Sequence, residues 1–239
     1  MTSQIAVLYI YQLKFVTEQP RALKKDETAL ASTRETLRHT YGAVTGMRQM
    51  FSDSFNTFIR IPIEATALSP EKKNVYRQMD NNPIQFQGIS DSVVVFLSLR
   101  TTDDAKLPAR GIIGILTAAA MTSIGSIGVG HPMRGGIDIG IGFQPSSNEI
   151  YGPALSRAYS LESRIANYPR IVVGDELIRY LYETGGQQPT GEFASESKKI
   201  ATDCIQCLAY DDDGIPFVDY LGPYFRALLG GSGGDATES

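Results

Sequence analysis

The run QFQGISDSVVVFLSL, residues 85–99, sets one acid, Asp91, at the mouth of a segment that is otherwise Val, Phe and Leu. An Asp there either turns the chain through a side-chain bond to its own backbone or stands as a carboxylate anchored by the apolar strand behind it. Two further clusters invite chemistry. Cys204 and Cys207 form a C-x-x-C pair, but there is no second pair and only two histidines in the chain. Zinc needs more ligands than that, and a redox motif needs a thioredoxin-like setting that is missing, so the reading is two buried structural thiols. The stretch AYDDDGIPFVDYL holds four acids. It lacks the alternating ligands and distal Glu of a calcium loop, which leaves a hairpin turn built on Asp-Asp-Gly.

The elements that must position these residues follow from hydrophobic pattern. Residues 4–10 are β-branched and aromatic enough for a buried strand. Residues 20–58 carry helical spacing through Leu23, Leu30, Leu37, Met47, Met50 and Phe51, which predicts one or two helices. Ser69 before Pro70 predicts a helix start. A hairpin follows at 84–99, then a small-residue helix at about 107–125. MRGGIDIGIGF alternates as a strand whose glycines allow close approach. EIYGPALSRAYSLESRIA predicts a helix with Pro153 in its first turn, YPRIVVG a short strand, and DELIRYLYETG a helix stopped by Gly185. QQPTGEFASESKK reads as a polar stretch, followed by a pair of strands and a terminal helix. The fold class is therefore α/β, with a mixed central sheet flanked by helices. Residues 1–185 form the main domain, 186–229 an extension packed on it, and 230–239 a disordered tail.

Composition bounds the function. The chain has 239 residues, 42% hydrophobic and 20% charged, enough for a sizeable core without disulfides. Its net charge of −4 argues against general nucleic-acid binding. GIIGILTAAAMTSIGSIGVG, residues 111–130, carries no charge and has about the length of a membrane span. Its glycines and hydroxyls instead suit a helix against which another backbone packs closely, so no membrane is expected. Free cysteines and an N-terminus without a basic region or cleavage site fit a cytoplasmic protein.

GISDSVVVF, MRGGIDIGIG, EIYGPALSRAYSLES and YPRIVV, in that order and spacing, resemble the class III nucleotidyl cyclases, above all the compact bacterial pyrimidine cyclases of antiphage signalling. The resemblance covers roughly residues 5–180. It implies a cyclase-type palm and a homodimer whose two copies face each other head to tail. Composite sites at that interface would take metal ligands from one chain and base-reading groups from the other. It further implies conversion of UTP or CTP to the 3′,5′-cyclic monophosphate, with Mn²⁺ or Mg²⁺ as cofactor and a downstream effector protein sensing the product.

Carried over residue by residue, the resemblance makes Asp91 the metal carboxylate and Arg134 the arginine that meets the triphosphate, a guanidinium fork suiting phosphate oxygens. Phe15 matches the closing Phe of the family's first-strand pattern, F-x-D-I-x-G-F. Tyr11 then stands where the second metal acid belongs, and Lys14 where the Gly belongs. A phenol replaces a carboxylate poorly as a ligand of these ions. Gln87 and Glu149 match the base-selecting positions and suit a pyrimidine without separating uracil from cytosine. Tyr151 beside them either stacks on a base or packs against the following helix. Ser156 and Ser160 stand where purine cyclases carry the transition-state Asn and Arg. Arg157 lies about 100° around the helix from Ser156 and does not replace that Arg automatically. Two readings stand: an active pyrimidine cyclase, or a degenerate cyclase-like domain that binds nucleotide or dimerises without turnover.

Overall fold

The computed structural model describes residues 2–12, 27–59, 69–71, 73–74, 84–89, 92–99 and 109–230. Their strands are β1 (Thr2–Gln12), β2 (Gln85–Ile89), β3 (Ser92–Ser98), β4 (Met133–Ser146), β5 (Glu149–Tyr151), β6 (Ile171–Val173), β7 (Leu208–Tyr210) and β8 (Pro216–Val218). The helices are α1 (Glu27–Ile59), α2 (Arg110–Gly128), α3 (Pro153–Arg164), α4 (Asp175–Gly186), α5 (Glu192–Gln206) and α6 (Pro223–Gly230). Pro70 and Glu71 are also helical, and the Lys73 N–H donates to the Ser69 carbonyl at 2.9 Å, as the Ser-Pro start predicts.

One mixed sheet runs β2-β3-β1-β4-β6-β8-β7, with β5 paired to β4. The β4–β6 pair is parallel and the others antiparallel. Within it, β1, β2, β3 and β4 are ordered β2-β3-β1-β4 with helix between β1 and β2 and between β3 and β4. That is the connectivity of a split β-α-β unit.

The central strands are buried on both faces, which is why β3 reads as a continuous apolar run. Ala6, Leu8, Ile10, Val93, Val95 and Leu97 join the main core under α1 and α2. Ile5, Val7, Tyr9, Val94 and Phe96 form a second cluster with Ala154 and Ala158 of α3 and Ile150 of β5. The uncharged run at 111–130 becomes α2, long and apolar enough to cross a membrane yet lined by core residues such as Ile112, Ile115, Leu116 and Ala119. Gly125 makes room for α1: a Cβ there would stand 2.9 Å from Met50 Cε. α1 meets the core through Val44, Met47, Phe51 and Phe55, at helical spacing along its second half.

The face of β4 toward α3 carries Arg134, Gly136, Asp138 and Gly140. A Cβ on Gly136 would overlap the Ala158 carbonyl oxygen and stand 2.6 Å from Leu161 Cβ. Two ion pairs flank that close approach. Arg134 Nε donates to Glu162 Oε1 at 2.7 Å, and Arg157 Nε to Asp138 Oδ2 at 2.8 Å. The arginine is on the strand in one pair and on the helix in the other.

Two expectations are corrected and one element is added. Within the polar stretch at 187–199, for which the sequence named no element, α5 begins at Glu192 and buries Ile200, Ala201 and Cys204 on one stripe. EIYGPAL does not open as helix, because Glu149–Tyr151 first pair with β4. α4 runs through Gly185 to Gly186 rather than stopping at Gly185. Gly230 ends α6, and the rest of the expected tail lies outside the described residues.

Residues 187–230 belong to the same sheet, since β8 pairs with β6. Arg170, buried just before β6, ties that region down. It donates to Asp211 at 3.0 Å, to Asp213 at 2.5 Å and to the Ile165 carbonyl at 3.1 Å, with its guanidinium 4.4 Å from the Tyr168 ring centroid. The acids of AYDDDGIPFVDYL thus make the expected hairpin turn, with Gly214 at φ 75°, and two of them neutralise an arginine.

Gly136→Ala is expected to force α3 off β4. Overpacking against backbone costs about 3 kcal/mol, a fall in Tm of roughly 6–12 °C for a chain of this size. A circular-dichroism melt superimposable on the wild type would refute the close approach.

Candidate functional site

Strand register sets out one end of the site. Tyr11 of β1 lies between Ser92 of β3 and Arg134 of β4, so these three positions form one row across neighbouring strands. Two strand spacings, about 10 Å, separate its ends. Ser92 follows Asp91 directly in the chain. Asp91, Lys14 and Phe15 lie outside the described residues, and of Tyr11 only the backbone position is described.

Arg134 is three-quarters buried, and its partner Glu162 almost wholly so. Burying a carboxylate is costly unless it is paired, so the pair fixes the plane of the guanidinium. Arg134 is therefore a held group and not a loose surface arginine at a strand start.

The other end of the site sits on β2 and β5. β4 runs past the sheet into a bulged arm, and Ile150 of that arm packs onto Val94 and Phe96. The bend brings Gln87 and Glu149 together: Gln87 Oε1 accepts the Ile150 N–H at 3.0 Å. Gln85 of β2 and Gln144 of β4 are joined by a further side-chain hydrogen bond. Because an N–H can only donate, the bond assigns the Gln87 carbonyl to the backbone and turns its amide nitrogen the other way. The Gln87 carbonyl is therefore engaged within the fold, where the sequence left the side chain able to donate or accept. Glu149 and Tyr151 are exposed.

Gln87 and Arg134 are not adjacent within one chain. Gln87 is level with Val94, Tyr9 and Gly136, three strand spacings or about 14 Å from β4. Ser156 is exposed on α3, its hydroxyl directed at the Gly152 carbonyl at 3.4 Å, and Ser160 is half-buried. Arg157 turns to the sheet instead, donating to Asp138 and to the Ile139 carbonyl. This pair was invisible in the sequence, although Asp138 inside an Ile-Gly strand was an available signal.

Asp138 has a further partner, the Leu177 N–H at 3.0 Å, so it caps the first turn of α4 from another strand. Gly174 permits this, since a Cβ there would stand 2.7 Å from both carboxylate oxygens. Burial pushes the Asp138 pKa up, with the bonds from Arg157 and Leu177 opposing it. Among the described residues no group of three or more His, Cys, Asp or Glu could hold a metal ion. Cys204 and Cys207 are free, buried thiols, as expected. Burial raises both, Cys207 to about 12.

Comparison with known proteins yields neither a matching family model nor a matching curated protein.

Two measurements check this electrostatic picture. Thiolate is the reactive form, and at pH 8 a thiol of pKa about 12 is ionised to roughly one part in ten thousand. Native protein should give almost no fast reaction with Ellman's reagent, and two thiols after denaturation; prompt native labelling would refute the burial. Asp138, with its folded pKa above the unfolded value of 3.8, keeps its proton longer in the native state. Its contribution to stability therefore declines as pH rises from the unfolded to the folded pKa. Asp138→Asn should remove that slope from a plot of Tm against pH; an unaltered slope would show that another group titrates.

Proposed function

We propose that the chain is a nucleotide cyclase of the class III type acting on a pyrimidine nucleoside triphosphate. The observation that carries the reading is the conjunction of Gln87 and Glu149 through the Ile150 N–H, which assembles a donor and an acceptor at the positions assigned to base selection. The split β-α-β sheet order supports a class III palm. So does the row Ser92–Tyr11–Arg134, which puts Arg134, the arginine that would meet the phosphates, in line with the strand end that Asp91 precedes. The separation of about 14 Å between Gln87 and the strand that carries Arg134 supports a composite site in a head-to-tail homodimer, the base held by one copy and the phosphates by the other. Ile141, Phe143 and Tyr151, all exposed on the β4–β5 arm, offer apolar surface for such a pairing.

In this reading the ribose 3′-oxygen attacks the α-phosphorus, a 3′-O–P bond forms, and the bond to the leaving pyrophosphate breaks. Arg134 would meet the triphosphate, while the Gln87 amide and the Glu149 carboxylate would orient the base. Asp91 would supply the carboxylate next to the row, since Tyr11 stands where a second would be. One carboxylate plus phosphate oxygens fits a single Mg²⁺ or Mn²⁺, which when bound supplies charge neutralisation on the triphosphate. Catalysis would rest on positioning and electrostatics. The product would serve as a signal read by an effector in antiphage defence.

A second reading is favoured by a specific observation. Arg157 is committed to Asp138, so it does not replace the transition-state arginine missing at Ser160. A domain so equipped would bind nucleotide or dimerise without turnover.

The experiment is incubation of purified protein with Mn²⁺ or Mg²⁺ and each of UTP, CTP, ATP and GTP, with products identified by mass spectrometry. A cyclic pyrimidine monophosphate is expected, reduced about a hundredfold or more in Asp91→Ala. Nucleotide binding without product from any of the four would favour the second reading.

A further inference from the structure

The geometry points to Glu162 as the positioning residue for Arg134, a role that rests on the cyclase reading above. Glu162 is 3% exposed and bonds Arg134 Nε at 2.7 Å. Its own backbone cannot drift relative to β4, because its N lies 2.8 Å from where a Gly136 Cβ would be. Arg134 is two residues from Gly136 on the same strand face, and its side chain keeps 24% exposure at the Ser92–Tyr11–Arg134 row. A free arginine is long and rotamer-rich, and ordering it on a polyanion costs affinity. Glu162 removes that cost in advance by fixing the guanidinium plane.

The same carboxylate also places a negative charge beside the phosphate site, which opposes binding. Position and charge thus act in opposite directions, and two conservative substitutions separate them. Glu162→Gln keeps an acceptor oxygen at the same reach and removes the charge. Glu162→Asp keeps the charge and withdraws the carboxylate by one methylene. The pair Asp138–Arg157, on the same helix–strand contact, serves as a structural comparator because neither residue is assigned to the phosphates.

The test is calorimetric titration of the full chain with inorganic tripolyphosphate in the presence of Mg²⁺, with Tm recorded for every variant. Glu162→Asp should weaken binding about tenfold, while Glu162→Gln should leave it unchanged or tighter. Arg134→Ala should weaken it at least as much as Glu162→Asp, and Asp138→Asn should leave it unchanged at a comparable loss of Tm. With UTP or CTP as substrate, kcat should fall in Glu162→Asp more than KM rises. The reverse order of the two Glu162 variants would overturn the proposal. So would equal weakening in Glu162→Asp, Glu162→Gln and Asp138→Asn, which marks a purely structural effect. Loss of binding in Arg134→Ala with none in Glu162→Asp would overturn the role of Glu162 and leave the cyclase reading standing. A wild-type chain that binds neither tripolyphosphate nor nucleotide would overturn both.

Discussion

The contact of α3 with β4 at Gly136 is the constraint on which the rest of the architecture hangs. A glycine lets the helix backbone touch the strand, and an ion pair closes the gap on each side. Because the two pairs have opposite polarity, a helix shifted along the strand would bring arginine toward arginine in one direction and acid toward acid in the other. Parting either pair would leave a nearly enclosed carboxylate, Glu162 or Asp138, without its cation, at about 1–3 kcal/mol with the arginines partly open to water, so the docking specifies one register and penalises its neighbours. The glycine supplies the proximity and the charges supply the direction.

From that contact, order spreads in two directions. Toward the strand ends it fixes the Arg134 guanidinium beside β1 and β3. Toward the other layer it holds Asp138 at the N-terminus of α4, where a carboxylate satisfies an otherwise unpaired N–H and meets the positive end of the helix dipole. Gly174 completes this arrangement by being the one residue type with no atom in the way of the carboxylate. A consequence is that Arg157, the cation next to Ser156 on α3, is committed to architecture.

Much of this fold was legible because the central strands are buried on both faces and α2 over most of its length, and both announce themselves as apolar runs. The glycines of MRGGIDIGIG signalled close approach, and Gly136 shows where one such approach occurs. α5 was hidden because its buried stripe is made partly of polar letters: Glu196 and Ser197 are as enclosed as Ile200 and Cys204. β5 was hidden by its length of three residues and the bulge that admits it. At the site, the types of Arg134, Gln87 and Glu149 were readable, but their partners were not. Glu162 is 28 residues from Arg134, and the Ile150 N–H that binds Gln87 is 63 residues away. Such pairings depend on how the β4–β5 arm folds back over the sheet, which no local pattern encodes.

Arg170 carries a consequence for how small this protein can be made. Its guanidinium is enclosed at the root of β6, and both carboxylates that neutralise it come from the turn between β7 and β8. β6 has only three residues and relies on β8 along one side. A fragment trimmed after α4 would keep every residue assigned to nucleotide chemistry. It would also strand a buried cation and open a raw sheet edge, the kind of surface on which chains stack into aggregates. The smallest autonomous unit is therefore larger than the smallest chemical one, and its far boundary is drawn by a turn of aspartates.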